Sequence, residues 1–391
     1  MSFRKEKMKM NRNQTIEENP SNQFPDSFGQ FHSHTPSQNL SGSRATIALL
    51  FGGCSTEYHV SLQSAYSVFL QIDTSRYSVF LIGLHPQTGQ WYWYQGNPER
   101  ILHGEWCVEE FCVPVFPTTD RSIHGVQYVK DHSVRSISFD AALPILHGKN
   151  GEDGTVQGLL ELAGIPIIGC DLLSSALCMN KELAHRLIAA EGIATPKSIL
   201  IKPAFDKEQL MHDIQTLGYP IFVKPVRSGS SFGITKVLTE QELLPAIERA
   251  FVHDSHVLLE ETIPGFEVGC AILGTNPLTI GAVDEIELSQ GFFDYTEKYT
   301  LETAKIHVPA RISDKKAKEI QETAKQIYTI LGCKGFARVD LFLTPEGKIV
   351  FNEVNTIPGF TPHSRYPNML KAAGWTFSEV VHQLLKIGEC I

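Results

Sequence analysis

The segment VDLFLTPEGKIVFNEVN holds the acidic residues best placed to do chemistry. Asp340 and Glu353 lie on two predicted strands joined by the turn TPEG, so a hairpin would bring their side chains together. Asn355, two residues beyond Glu353, faces the same side of its strand, as Arg338 does relative to Asp340. Two carboxylates and an amide oxygen form a hard-oxygen cation site that suits magnesium, and the arginine could stabilise charge during phosphoryl or acyl transfer. The spacing alone is equally compatible with solvated side chains on a strand edge.

A glycine- and serine-rich loop in FVKPVRSGSSFGITK forms a second candidate group. Lys224 ends an apolar strand, and Ser230 and Ser231 lie between glycines in the loop that follows. Such a loop can fold over phosphates with its backbone N–H groups, although glycine–serine hairpins are also ordinary turns. It is not a Walker A loop, because no Gly-Lys-Ser/Thr follows. Lys181, in CMNKE, could add a second cation, but from this segment alone a surface lysine on a helix is the better explanation.

Three further loops contain polar residues next to predicted strands. In VLLEETIPGFEVG, the residues Glu260, Glu261 and Glu267 could bind ribose hydroxyls or an exocyclic amine, or they could form a solvated turn. His147 in HGKNGEDGT and Glu57 in GGCSTEYHVS each follow a strand. Because ligands bind at the carboxyl ends of strands in open α/β sheets, we expect both to face a substrate, with Glu57 able to hold an amine.

Alternating strands and helices must position these loops, and they predict three domains. Continuous apolar runs such as ATIALLF and SVFLIGL predict strands buried on both faces, and therefore an open, mainly parallel sheet in residues 44–172. Residues 88–135 have no clear pattern. Further elements of this first domain are predicted near 57–69, 139–148, 154–164 and 165–169. In residues 173–264 we predict helices near 175–191, 207–217 and 240–251, and strands near 198–201, 219–225, 234–238 and 257–261. In residues 265–391 we predict antiparallel strands near 267–273, 278–286, 336–343 and 348–354, and a helix over 314–331.

The bulk composition limits the function classes. The chain has 391 residues and a formal net charge of −9, which argues against nucleic acid as the main partner. No apolar run approaches the length needed to cross a bilayer. The eight cysteines form no CxxC pair, which indicates free thiols in a reducing compartment and a cytoplasmic protein. Residues 1–43 are rich in Asn, Ser, Pro and Gln and predict a disordered extension, in which His32 and His34 would be solvated.

Taken together, these motifs resemble the D-alanine–D-alanine ligases of the ATP-grasp superfamily, and most of all the vancomycin-resistance D-alanine–D-serine ligases of the VanG type. The resemblance covers residues 45 to about 388, and eight segments in family order make it specific. The segments are FGGCSTEYHVSLQSA, LHGKNGEDGTVQGLLELAGIPIIGCD, SSALCMNKELAH, VKPVRSGSSFGI, GFEVGCAIL, FFDYTEKYT, GFARVDLF and NEVNTIPGFTPHSRYP. The resemblance implies a three-domain ATP-grasp ligase of mixed α/β and α+β class, with an open parallel sheet in the N-terminal domain.

The resemblance also implies where ATP and metal ions bind. ATP would lie between the second and third domains, with Glu260 near the adenine and Glu267 near the ribose. The ATP-binding residues would also include Lys181, Lys224, Ser231 and Glu261, the two lysines contacting phosphates. Two magnesium ions, for which manganese can substitute, would be held by Asp340, Glu353 and Asn355.

The implied reaction joins two D-amino acids through a D-alanyl phosphate, and gives a D,D-dipeptide for peptidoglycan precursors. Glu57 would hold the ammonium group of the first D-alanine and His147 would contact its carboxyl group. Ser230 and Tyr299 would bond with Glu57 to close a lid, the loop 288–305, which also carries Lys298. The remaining roles fall to Arg338 and the Gly359 N–H, which would stabilise the tetrahedral oxyanion, and to Ser364, which would help to bind the second substrate. The resemblance further implies a homodimer.

Two features bear on the second substrate. The pair Lys298–Tyr299 keeps the lid pattern of peptide-forming relatives, which favours an amine nucleophile. Arg365 follows Ser364 at a position where D-alanine-specific relatives place an apolar side chain, and it could donate to the hydroxyl of D-serine. D-serine is therefore favoured, with a housekeeping D-alanine–D-alanine ligase as the alternative. Arg365 could instead pair with a carboxylate, and Pro362 stands where relatives usually carry serine, which leaves the geometry of this loop open.

Two other classes of protein compete with this interpretation. A different ATP-grasp enzyme, such as a carboxylase subunit, would not need Glu57, Ser230 and Tyr299 together. A non-catalytic nucleotide-binding protein would be expected to lack Arg338 or a metal ligand, and the sequence has all of these residues.

Overall fold

Seven strands form the first sheet of the computed structural model, which describes residues 44–229, 232–288 and 304–389. The strand order is β6-β5-β4-β3-β2-β1-β7, with β1 parallel to both β2 and β7. The strands are β1 Ala45–Gly52, β2 Tyr77–Leu84, β3 Trp91–Tyr94, β4 Cys112–Pro117, β5 Gly125–Lys130, β6 Ser133–Ser138 and β7 Ala141–Pro144. The helices of this region are α1 Tyr58–Phe69, α2 Glu99–Leu102 and α3 Thr155–Leu162.

The sequence predicted only the parallel part of this sheet. Residues 88–135, which showed no clear pattern, contain strands β3, β4 and β5 and the first three residues of β6. These strands pair antiparallel. The run 165–169 is not a strand but a single parallel bridge between Ala142 and Ile167. Short antiparallel strands with exposed faces lack the long apolar runs by which the parallel strands were recognised.

The helix predicted over 175–191 is two helices, α4 Leu172–Met179 and α5 Lys181–Ala190. Asn180 separates them with extended backbone angles, and its side chain accepts a hydrogen bond from the Leu183 N–H at 3.1 Å. An asparagine at this position satisfies a free helix N–H and so competes with continued helix. As a result Lys181 is the first residue of a helix, and it is buried.

Four antiparallel strands form the second sheet, in the order β10-β9-β11-β8. The strands are β8 Ser198–Ile201, β9 Ile221–Pro225, β10 Thr235–Val237 and β11 Val257–Glu261. Helices α6 Lys207–Asp213 and α7 Glu240–Phe251 contribute to its core, and a 3-10 turn at Ile214–Thr216 replaces the end of the helix predicted to 217. The predicted hairpin of β9 and β10 is confirmed.

Five antiparallel strands form the third sheet, in the order β14-β13-β12-β15-β16. The strands are β12 Phe266–Leu273, β13 Thr279–Leu288, β14 Ala304–His307, β15 Phe336–Leu343 and β16 Ile349–Asn355. Helix α8 Asp314–Ile330 packs on this sheet through apolar residues such as Ile320 and Ile327. The predicted antiparallel pairing and the long helix are therefore confirmed.

Two C-terminal helices, α9 Arg365–Ala372 and α10 Phe377–Glu389, were not predicted. Val380 and Leu384 of α10 lie in the same apolar cluster as Ile47 and Leu49 of β1, so the C-terminal segment packs on the N-terminal sheet. Residues 44–391 accordingly form one compact unit, and the three-domain boundaries stay a prediction. Within the described ranges, no helix is both long enough and apolar enough to cross a membrane.

The side chain of Asn180 is expected to stabilise α5. Replacing it in Asn180→Ala removes the acceptor for the Leu183 N–H and should lower the free energy of unfolding by about 1 kcal/mol in urea titrations. Thr239→Ala is the matched control, because Thr239 stands at the start of α7 without a capping hydrogen bond from its side chain. Equal losses in the two variants would contradict a capping role for Asn180.

Candidate active site

The predicted cation site lies on the hairpin of β15 and β16. Asp340 is directly opposite Glu353, and Arg338 is directly opposite Asn355. Asp340 is 1% exposed and receives hydrogen bonds from Arg338 Nε at 2.8 Å, Arg338 Nη2 at 2.7 Å and Asn355 Nδ2 at 2.8 Å. Lys181 Nζ lies 3.4 Å from Glu353 Oε2. The structure therefore brings the four predicted hairpin residues and a lysine together.

The donor set of this hairpin fits magnesium better than softer metals. It offers two carboxylates and an amide, which are the oxygen ligands that magnesium prefers, while substrate phosphates supply others. Among the described residues, no three or more His, Cys, Asp or Glu side chains are grouped so that they could hold a metal ion. The adjacent Arg338 and Lys181 balance the carboxylate charge in this structure.

Arg365 forms a buried ion-pair cluster with carboxylates from three strands. Its Nε and Nη2 donate to the two oxygens of Asp284 at 2.7 and 2.9 Å, and its Nη1 donates to Glu267 at 3.0 Å. Its Nη2 also lies 3.4 Å from Asp340. Gly269 lies opposite both Asp284 and Asp340, and a Cβ there would be 2.5 Å from Arg365 Nη2. The glycine thus makes room for the guanidinium, and the sequence alternative of carboxylate pairing is what the structure shows.

A cavity of about 540 Å³ lies between the second and third sheets. Six of the predicted nucleotide and metal residues line it, namely Lys181, Lys224, Glu260, Glu261, Glu267 and Glu353. Phe222, Ile286 and Phe342 give it apolar walls. Such a cleft, apolar with a few convergent charged groups, is typical of a cofactor or nucleotide site.

Lys224 and Glu260 form an ion pair inside this cavity. Burial acts to raise the pKa of Glu260, but the neighbouring Lys224 and His185 hold that pKa below its ordinary value. Lys181 Nζ donates to the Ser228 carbonyl at 2.8 Å, and the Glu261 carboxylate accepts from the Lys197 N–H at 2.8 Å. Lys181 therefore presents positive charge beside Glu353, and Lys224 presents it beside Glu260 in the same cavity.

Glu57 lies where the loops of the first and second sheets meet. It is 8% exposed and directly precedes α1. Its carboxylate is next to the backbone of Gly148 and Gly229, since a Cβ on Gly229 would be 2.6 Å from Glu57 Oε2. A side chain on either glycine would collide with Glu57, which places this acid beside the candidate phosphate loop.

His147 and Glu152 both bond with the backbone of one residue, Ile357, in the loop after β16. His147 Nδ1 bonds with the Ile357 carbonyl at 2.7 Å, and its Nε2 is 3.1 Å from Ser64 Oγ. Glu152 accepts from the Ile357 N–H at 3.0 Å and from the Gly148 N–H at 2.8 Å. Both ring nitrogens of His147 are thus bonded within the protein, and its contact with a substrate carboxyl group stays a prediction.

Burial gives these two groups unusual pKa values. It lowers the pKa of His147 to about 4, and the nearby Arg338 acts in the same direction, so the imidazole is neutral near pH 7. Burial together with Glu57 raises the pKa of Glu152 to about 8. Glu152 therefore retains its proton near neutrality, which avoids two buried negative charges side by side.

Ser364 bonds with Thr361 within the loop that is predicted to bind the second substrate. It directly precedes α9, and its Oγ accepts from the Thr361 N–H at 3.1 Å. A Cβ on Gly359 would be 3.0 Å from Ser364 Oγ, so the two predicted residues are neighbours. Four predicted residues lie outside the described residues: Ser230, Ser231, Lys298 and Tyr299.

The structure also shows residues that the sequence reasoning missed. Glu152 and Asp284 are buried acids, and Ser64 is a buried serine on α1. Glu152 lies in the same GEDG run as the predicted His147 loop, and that acid between glycines was a signal that could have found it. Asp284 had no such signal, because it lies within the long strand β13. Its partner Arg365 is 81 positions later in the chain.

Two family models match the chain, and together they cover most of it. Residues 46–170 match "D-ala D-ala ligase N-terminus" and residues 187–386 match "D-ala D-ala ligase C-terminus". The chain therefore belongs to the D-alanine–D-alanine ligase family, whose members are ATP-grasp ligases.

Several relatives are similar to the chain over nearly their whole length. The crystal structure of the VanG D-Ala:D-Ser ligase from Enterococcus faecalis is 55% identical, covers 88% of this chain and all of its own, and superposes with a TM-score of 0.82. A putative D-alanine–D-lactate ligase of Streptomyces coelicolor is 44% identical over 88% of this chain and 98% of its own. The vancomycin C-type resistance protein VanC1 of Enterococcus gallinarum is also 44% identical, over 88% of this chain and 98% of its own.

The lowered pKa of His147 predicts acid sensitivity. Its folded pKa of about 4 is below its ordinary value of 6.5, so the unfolded chain binds a proton first and stability is lost as pH falls from about 6.5 to about 4. His147→Gln keeps a donor for Ile357 and an acceptor for Ser64 but does not titrate. In urea titrations from pH 7 to pH 4.5, we expect the free energy of unfolding to fall less steeply in the variant than in the unmodified protein. The two slopes should differ by at most about 1.4 kcal/mol per pH unit. Parallel pH profiles for the two proteins would contradict a neutral buried imidazole.

Proposed function

We propose that this ligase joins D-alanine to a second D-amino acid, with D-serine favoured, at the expense of ATP, in the cytoplasm. The observation that carries the proposal is the pair Lys181 and Glu353 in the lining of the nucleotide-sized cavity, with Asp340 and its partner Arg338 directly beside Glu353 on the neighbouring strand. A site of this kind suits a reaction in which negative charge moves between phosphate and acyl oxygens. The product would be a D,D-dipeptide for peptidoglycan precursors, and a D-serine product supports a role in vancomycin resistance.

The first step is attack of the D-alanine carboxylate on the γ-phosphate of ATP. Two negatively charged groups must approach each other, so cations at this end of the cavity lower the barrier. Lys181 and Lys224 would contact the phosphates, a role supported by their position in the lining of the cavity and by the ion pair of Lys181 with Glu353. Magnesium held by Asp340, Glu353 and Asn355 would offset phosphate charge there.

The D-alanine must be held with its carboxylate toward the phosphates. Glu57 is the nearest described acid to the Gly229 end of the candidate phosphate loop, and it would hold the ammonium group. Closure of the lid by Ser230, Tyr299 and Lys298 is supported by the family resemblance alone. The resulting acyl phosphate hydrolyses readily, so exclusion of water is needed until the second amine attacks.

The second step forms an oxyanion on the acyl carbon. Arg338 is buried beside Asp340 and carries a permanent positive charge, which makes it suited to stabilise that oxygen together with the Gly359 N–H. Burial acts to lower the pKa of Arg338, but the facing Asp340 carboxylate raises it above its ordinary value. The positive charge is therefore retained throughout the reaction.

The ion-pair cluster of Arg365 supports D-serine as the second substrate. Ser364 and Gly359 lie in the loop directly before Arg365. Asp284 fixes the orientation of the guanidinium through two hydrogen bonds. A guanidinium has five N–H donors, more than these contacts use, so one can meet a serine hydroxyl. A buried arginine facing the methyl group of D-alanine would leave that donor unpaired, which disfavours D-alanine. The D-alanine–D-alanine ligase activity remains the second candidate.

The function is tested by product analysis with competing acceptors. ADP release is measured with ATP, magnesium and D-alanine, then with D-serine or D-lactate added, and the products are identified by mass spectrometry. We expect D-alanyl-D-serine as the main product of an equimolar D-alanine and D-serine mixture. Absence of ADP release under every condition would exclude the ligase, and D-alanyl-D-alanine as the main product would exclude the D-serine preference. Sedimentation of the active protein tests the homodimer that the resemblance also supports.

We predict that Arg365 contributes both to the free energy of unfolding and to the preference for D-serine over D-alanine as second substrate. Arg365→Met leaves the fully buried Asp284 without its partner, and we expect the free energy of unfolding to fall by about 3–5 kcal/mol. The double variant Asp284→Asn/Arg365→Met should recover most of this loss, but its ratio of D-alanyl-D-serine to D-alanyl-D-alanine should fall at least about ten-fold.

The matched control for this prediction is Arg227→Met. Arg227 also forms a two-point ion pair, with Asp254, but its side chain is about half exposed and does not line the cavity. Its product ratio should equal that of the unmodified protein. A double variant that keeps the D-serine preference would show that acceptor choice does not depend on Arg365.

A further inference from the structure

Helix α1 carries two fully buried serines, Ser61 and Ser64, one helical turn apart on the same face. Ser61 Oγ accepts from the Gly52 N–H at 2.8 Å and donates to the Ile145 carbonyl, so it ties α1 to the first sheet. Ser64 makes a different connection. Its Oγ accepts from the Phe360 N–H at 3.1 Å and bonds with His147 Nε2.

The direction of each hydrogen bond around Ser64 is fixed by its neighbours. His147 Nδ1 faces the Ile357 carbonyl, which only accepts, so the proton of the neutral imidazole is on Nδ1. His147 Nε2 is then an acceptor and takes the Ser64 hydroxyl proton, while a lone pair of Ser64 Oγ accepts from Phe360. The sequence of bonds therefore runs from Phe360 through Ser64 and His147 to Ile357.

These contacts fix both ends of the segment 357–360. At one end, His147 holds the Ile357 carbonyl and Glu152 holds the Ile357 N–H. At the other end, Ser64 holds the Phe360 N–H. Gly359 lies between the two anchored ends, and all the anchoring groups come from loops and helices of the first sheet. None of them needs to touch a substrate to act on this segment.

We propose that Ser64 is a positioning residue for the second step of the reaction, because it holds the segment 357–360 in the place from which the Gly359 N–H meets the oxyanion. The inference rests on the proposed function, which gives Gly359 that role. In this step a C–N bond forms while the carbonyl electron pair moves onto oxygen. The pair returns as the C–O bond to phosphate breaks, with the amine proton passing to the released phosphate. Oxyanion stabilisation depends steeply on donor position, whereas attack on the γ-phosphate does not use this donor.

The test separates the two chemical steps in Ser64→Ala, with Ser61→Ala as the matched control. Formation of the acyl phosphate is followed by positional exchange of ¹⁸O within ATP in the presence of D-alanine, and the second step by the rate of dipeptide formation. For Ser64→Ala we expect dipeptide formation to fall about ten-fold or more, since an oxyanion donor is worth roughly 10²–10³ in rate and is here displaced rather than removed. Exchange should stay within about two-fold of the unmodified protein. For Ser61→Ala, the ratio of exchange to dipeptide formation should be unchanged.

Two results would overturn the proposal: an equal loss of both rates in Ser64→Ala, which indicates a general structural role, or no loss in either. If Ser64→Ala does not fold, Ser64→Cys is measured in the same way, because its thiol keeps the volume but bonds weakly, and the same split between the two rates is expected. An unmodified protein that shows neither exchange nor dipeptide formation would instead contradict the proposed function.

Discussion

The buried contact between Arg338 and Asp340 is the interaction on which the rest of the site depends. A carboxylate with 1% exposure would be strongly disfavoured without partners, and here a two-point guanidinium contact and the Asn355 amide offset that cost. The pairing register of β15 and β16 places these groups side by side, since Arg338 is opposite Asn355 and Asp340 is opposite Glu353. A slip of either strand by one residue would turn its two residues to the other face of the sheet, away from the two on its neighbour. The same register therefore specifies the fold and brings these four groups together.

The parts of the site come from three sheets, and the C-terminal helices join the first of these sheets to the third. α10 packs its apolar face on the first sheet, and α9 packs Tyr366 and Met369 into the same apolar cluster. The loop between β16 and α9 is thereby held against helix α1 and the loop that follows β7. This arrangement explains why His147 and Glu152, which are more than 200 positions earlier in the chain, bond directly with Ile357. The loops proposed to bind substrate and the hairpin proposed to bind magnesium are therefore positioned by packing at a distance from the candidate site.

What the sequence could predict was local, and what it missed depends on contacts between distant parts of the chain. The TPEG turn and the period of two along a strand were enough to bring Asp340, Glu353 and Asn355 together. The hairpin of β9 and β10 and the helix α8 followed from turn residues and periodicity in the same way. Asn180 was missed because a single capping side chain competes with an otherwise helical run. The contact of Arg365 with Asp284 could not be predicted, because no local pattern records which buried acid an arginine will meet after folding.

The shared contacts of Arg365 link the proposed acceptor site to the proposed nucleotide and magnesium sites. One guanidinium contacts Asp284, Glu267 and Asp340, which belong to three adjacent strands. An apolar residue at position 365 would leave the buried charge of Asp284 unbalanced and remove positive charge beside Asp340. A neutral residue at 284 would, conversely, release the guanidinium from its fixed orientation. A change of acceptor preference at position 365 therefore requires a compensating change at 284, because buried charges on adjacent strands are tolerated only in balanced groups.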